Sequence, residues 1–174
     1  MDLLQQLMKN AGGGATNRIG RQFGLDESQT AAVLGQLVPA LTDGLKKNAG
    51  TAGGAAGLAK ALQKGGHQRY IDEPESLGDS GAVEDGNKIL GHLLGSKDVS
   101  RQVAAAASSN TGIDAGVVKQ LLPLVATMVM GSLSKQTGGG AKLEQEESGL
   151  LGTLFGGDDK AGSLLGMATG FLKK

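Results

Sequence analysis

Residues 78–82 read Gly-Asp-Ser-Gly-Ala, the kind of string that surrounds the nucleophile of trypsin-like proteases, and that chemistry would make Ser80 the attacking group. Such a serine needs an imidazole at its hydroxyl, a carboxylate behind the imidazole and an oxyanion hole made by its own turn. The chain offers two histidines, His67 and His92, far apart and without a local carboxylate in metal-ligand spacing. His92 sits in "KILGHLLG", the surroundings of a structural core or edge histidine. "SLSK" at 132–135 has the spacing of a Ser-Lys pair, but Ser-Asp-Asn and Lys-Thr-Gly partners are absent, so Lys135 reads as a cation at a helix end. The glycine clusters form neither GxGxxG nor GxxxxGK[ST]. No catalytic, metal or cofactor residue is assigned, and no cofactor is expected. A small hydrolase or ligand-binding protein using Ser80 or His92 is the alternative reading.

Composition narrows the function further. Lys plus Arg and Asp plus Glu both number 17, and only 2% of residues are aromatic, with no Trp. A nucleic-acid partner would call for a basic surface and stacking faces, so none is expected. With no cysteine, disulfides and thiolate sites are excluded. "MDLLQQLMKN" lacks the basic n-region of a secretory signal, so the cytoplasm is the expected location.

The elements that must position any site read as helices. Ala, Leu and Val dominate without a period-two pattern, and glycine, at 31 of 174, punctuates apolar segments. Asp26, Asp98 and Asp114 each precede a helical stretch as candidate N-caps. From Gln120 to Ser134 no residue is charged, and Leu121, Leu122, Val125 and Val129 define a helix that belongs in a core. That uncharged stretch is shorter than the roughly 20 residues a membrane span requires. The stretch at 27–47 has a wet side and lies nearer the surface.

Two of the three prolines fall inside these helices, in "GQLVPALTDGL" and "KQLLPLVATMV". The echo extends to "LLQQLMKN" with "ILGHLLGS" and "GLD" with "GID", which predicts two divergent three-helix units, about 1–48 and 86–136, each with a proline that kinks or breaks its long helix. Residues 49–85 form the linker: first a small-residue helix anchored by Leu58 and Leu62, then "YIDEPESLGDSG" with the composition of a loop. The expected architecture is an all-α domain over 1–137 followed by a glycine-rich appendage, 138–174. There Leu164, Leu165, Ala168, Phe171 and Leu172 fall on one face of a terminal helix, and Glu144, Glu146 and Glu147 prefer water. That apolar face would suit a protein partner, a second copy, its own domain or a membrane surface.

"EDGNKILGHLLG", followed by "TGIDAGVVKQLLPLVATMVMGSL" and a Gly- and Leu-rich end, resembles the YidB-like family of uncharacterised bacterial proteins. Gly86, Ile89, Leu90, Gly91, His92, Gly95, Asp114, Leu122 and Pro123 fit that family's pattern. The resemblance implies an all-helical bacterial protein and brings no activity, cofactor or partner. The function expected is a non-enzymatic interaction or scaffolding module, possible self-association included.

Overall fold

Asp26 opens the first long helix with a complete capping box: its carboxylate accepts the Gln29 N–H at 2.7 Å, and the Gln29 side chain accepts the Asp26 N–H at 3.1 Å. Asp114 opens the second by accepting from the N–H groups of Gly116 and Val117 at 2.8 and 3.3 Å. Two residues before each aspartate stands a glycine of positive φ, Gly24 at 67° and Gly112 at 73°, which turns the chain sharply into the cap. The structure is a computed structural model describing residues 14–51 and 53–139. Among these residues it has α1 (Gly14–Gln22), α2 (Glu27–Ala49), α3 (Gly54–Gly65), α4 (Arg69–Asp72), a 3-10 helix (Pro74–Gly78), α5 (Ser80–Leu94), α6 (Lys97–Thr111) and α7 (Ala115–Thr137). There is no strand among them, so the domain is all-α as expected.

Helix α7 is the axis of the bundle. Every residue from Leu121 to Ser134 is buried, with α1 to α6 all packed against it except where they pack on one another. Leu121, Val125 and Val129 are fully buried and Leu122 is 2% exposed, as their spacing predicts. The whole helix runs 23 residues, longer than its uncharged stretch, and by length and composition alone it could cross a membrane. Here its apolar surface is spent on neighbouring helices instead. Helix α2 buries one stripe, Val33, Leu34, Leu37, Val38, Leu41 and Leu45, and keeps a wet side.

Both internal prolines are carried without a break. Each lacks an N–H, which strands the carbonyl four residues back, on Gly35 and on Lys119. Gly35 is half-buried and Lys119 exposed. Pro39 is exposed, whereas Pro123 is buried under α5 at Gly86. A Cβ on Gly86 would stand 2.2 Å from the Pro123 carbonyl oxygen. Gly44 lets α2 meet the Leu93 backbone in the same way, and Gly131 lets α7 meet the His67 carbonyl.

Two readings of the sequence need correction. Asp98 is not a cap: Ser96 caps α6, accepting the Val99 N–H at 3.3 Å, while Asp98 sits in the first turn and pairs with Arg101 at 3.4 Å. It still faces the positive end of the helix dipole. The stretch 70–81 is not a loop. Its α4 and 3-10 turns drive Tyr70, Ile71 and Leu77 into the same core that receives Leu58, Ala59 and Leu62 from α3. Pro74 supplies the fixed φ at the first position of the 3-10 helix. The first helix of the proposed repeat, at 3–10, and the appendage beyond 139 lie outside the described residues.

Candidate functional site

Ser80 is the first residue of α5 and is exposed, with no hydrogen bond from its hydroxyl to any described residue. His92 lies twelve residues on, in the last turn of the same helix, also exposed. At about 1.5 Å per residue the two are about 18 Å apart and cannot serve one reacting atom. His92 is therefore no core histidine; its backbone carbonyl, rather than its ring, is engaged, accepting a hydrogen bond from the Asn48 side chain.

The polar groups that do converge come from the stretch read as a linker. The Tyr70 hydroxyl donates to the Asp85 carboxylate at 2.6 Å and accepts from the Arg69 guanidinium, also at 2.6 Å, while Arg69 reaches Asp85 at 3.4 Å. The guanidinium also lies over the Tyr70 ring, 4.7 Å from its centre. Burial raises the Tyr70 hydroxyl above its ordinary pKa, and its hydrogen bond to Asp85 raises it further against the lowering effect of Arg69. The phenol therefore stays protonated near neutrality. It ties α4 to α5 and supplies no nucleophile. The sequence signal was present in "HQRYID", where the sole tyrosine, an apolar body with a polar tip, stands beside Ile71.

His67 stacks on the same tyrosine, with ring centres 6.4 Å apart, and is 5% exposed. Its Nδ1 is buried without a hydrogen-bond partner. Burial holds the imidazole below its ordinary pKa, with Arg69 acting in the same direction and Asp85 and the Ala61 backbone acting against it. The unfolded chain consequently binds the proton more readily than the folded one. The stability from a neutral His67 should be complete above its unfolded pKa, near 6.5, and be lost as pH falls through the lower folded value. Melting temperatures recorded from about pH 7.5 to about pH 5 should fall for the parent and fall less for His67→Gln. Equal acid slopes in the two proteins would assign the loss to carboxylates instead. Among the described residues no group of three or more His, Asp or Glu is arranged to hold a metal.

A groove opens between the ends of α2 and α5 and the flank of α3. Its lining is mostly apolar, with Leu45, Ala49, Leu58, Ile89, Leu93 and Met130 of α7 among it; Asn48 and His92 are the polar side chains, and Gly53, Gly54 and Gly57 contribute backbone alone. Its volume is about 130 Å³. The structure thus places His92 at a cavity, but beside apolar walls, and it does not bring Ser80 there. The groove was not legible in the sequence because it is made by three helix surfaces that no local pattern relates. The predicted surface of Leu164, Leu165, Ala168, Phe171 and Leu172 lies outside the described residues.

No curated protein and no solved structure matches the chain. A family model does, and it agrees with the resemblance carried by the α5 and α7 residues. It spans residues 5–136, all of the described residues but 137–139, and the chain accordingly belongs to the family described as bacterial protein of unknown function (DUF937).

Proposed function

We propose that this protein is a non-enzymatic interaction or scaffolding module of the bacterial cytoplasm, and that the segment from about 138 onward carries its partner contact through Leu164, Leu165, Ala168, Phe171 and Leu172. One observation carries the reading. The bundle buries nearly all of its large apolar side chains, leaving only Val83 and Val99 as large exposed hydrophobics among the described residues, while Gly138 and Gly139, at φ 59° and 73°, end α7 before the apolar stripe is reached. An apolar stripe placed beyond the end of the core helix is more use for binding than for stability. The absence of converging nucleophile and base around Ser80 and His92 favours this over a hydrolase.

The bundle itself reads as two divergent copies of one unit. Support comes from the paired order of a helix, a left-handed glycine, an aspartate cap and a helix of 23 residues, at α1–α2 and again at α6–α7.

Deletion of 141–174 tests the assignment. Circular dichroism per residue and melting temperature should stay nearly unchanged, while crosslinked pull-down from native cells should lose the partners, or the self-association, that the full chain captures. A truncated protein that unfolds would return the segment to the core. A truncated protein that keeps the same partners would move the contact to the bundle. Recovery of the contact on lipid vesicles alone would make it a membrane surface.

A further inference from the structure

We infer that His67 latches a proton-released strap: residues 66–73, a turn and the short helix α4, lift from α7 and α5 when the imidazole is protonated, while the rest of the bundle stays folded. The ring itself is the first argument. It folds back under the end of α3, where a side chain on Gly65 would collide with Nε2, and it donates a hydrogen bond to the Ala61 carbonyl. Because Nδ1 is buried without a partner, that bond belongs to Nε2–H, and Nδ1 is the nitrogen that carries no proton. A second proton must go to Nδ1. There it would make a buried N–H with no acceptor, on a residue that is 5% exposed.

The charges around the ring do not compensate for that. On α5, Asp85 attracts an imidazolium, but its carboxylate already holds the Tyr70 hydroxyl at 2.6 Å, Arg69 at 3.4 Å and Lys88 at 4.0 Å. On α4, Arg69 repels an imidazolium, and Tyr70 meets the ring by stacking. On α7 the stretch 120–134 is uncharged, and Lys135 beyond it pairs with Asp72. Lys60 and Lys64 of α3 are exposed. Burial outweighs Asp85, so the folded protein holds the imidazole neutral below its ordinary range.

The strap is also lightly held. It runs from Gly66, in the left-handed region at φ 53°, to Glu73 just before Pro74, and its helix has four residues. Three side-chain ties fasten it: Gln68 to the Ser134 carbonyl at 3.2 Å, Asp72 to Lys135, and Tyr70 to Asp85. Besides His67, only Tyr70 and Ile71 of the strap are buried, against seven buried residues on α2. An element with so few buried contacts opens at less cost than the whole fold. The 3-10 helix that follows stays in place, because it packs on α1, with Pro74 against Gly14. Lifting the strap uncovers α7 at Gly131, where the His67 carbonyl and Ile71 now lie. A lifted imidazole regains its ordinary pKa near 6.5, so each pH unit below that value raises the ratio of open to closed by up to about tenfold, until the closed form itself protonates.

The test uses the full chain, in which Tyr70 is the one tyrosine and there is no tryptophan, so tyrosine fluorescence reports on the strap alone. Between about pH 7.5 and about pH 4.5, quenching of Tyr70 by acrylamide should rise several-fold, with a midpoint below 6.5 and the steepness of one proton. Far-ultraviolet circular dichroism and the amide protection of α2 and α7 should hold over the same range. In His67→Gln, Tyr70 should stay protected throughout. In Asp85→Asn, which loosens the Tyr70 tie and leaves His67 in place, the rise should move to higher pH and keep its steepness. A second measurement needs no change at His67: its ring resonances, told from those of His92 by His92→Gln, should titrate together with the Tyr70 signal. A Tyr70 transition that persists in His67→Gln would overturn the proposal. So would a His67 ring that titrates while Tyr70 stays protected, or a loss of protection in α2 and α7 at the same pH, which would make the event global unfolding.

Discussion

Gly86→Ala should destabilise the protein by about 1–3 kcal/mol, although alanine is the better helix former by about 1 kcal/mol. The added Cβ would stand 2.2 Å from the carbonyl oxygen of Pro123, 2.5 Å from its carbonyl carbon and 2.7 Å from its Cβ. Those atoms belong to the backbone and ring of the central helix, so no side chain can swing aside. Either α5 lifts from α7 along its length or the contact is lost. Helix α5 supplies its own controls, since Gly81 and Gly91 face open space. Gly91→Ala should therefore gain roughly 0.5–1 kcal/mol. Urea denaturation of the two single variants checks the pair, and a Gly86→Ala protein as stable as Gly91→Ala would mean that α5 does not ride on Pro123.

That contact also shows what the sequence could and could not disclose. Glycine clusters were readable as punctuation, and Gly138 does end α7 in a left-handed cap. Single glycines inside helices carry a different meaning, close approach of two backbones, and the partner lies far away in sequence: Gly44 with Leu93, Gly86 with Pro123, Gly131 with His67. No periodicity within one helix encodes that. Helix type, the aspartate caps at 26 and 114 and the burial of 121–134 were legible because each depends on local chemistry or on the absence of charge. Ser96 and Asp98 compete within one turn for the same free N–H groups, and the serine, two residues earlier, takes the cap. The stretch 70–81 looked like a loop because its polar residues outnumber its apolar ones. Tyr70, Ile71 and Leu77 are nevertheless enough to anchor two short helical turns. The polar cluster of Arg69, Tyr70 and Asp85 was hidden for the same reason: its members meet only after α4 has folded back on α5.

The second large effect is expected at Leu122, where replacement by alanine should cost about 2–5 kcal/mol. Leu122 is 2% exposed and belongs to the run from Leu121 to Ser134 in which every residue is buried. Truncation there removes apolar contacts and leaves a void that α7 cannot close, because its neighbours hold it from several sides and Gly86 already brings α5 to backbone contact one residue away. A domain of ordinary stability, about 5–15 kcal/mol, would lose a large share of it in one substitution. His92→Ala, at an exposed position of α5, should leave folding nearly unchanged and calibrate the comparison. Thermal and urea unfolding of both variants would decide the matter. A Leu122→Ala protein as stable as its parent would mean that this face of α7 is an interface or a membrane surface, and the bundle with α7 at its axis would have to be abandoned.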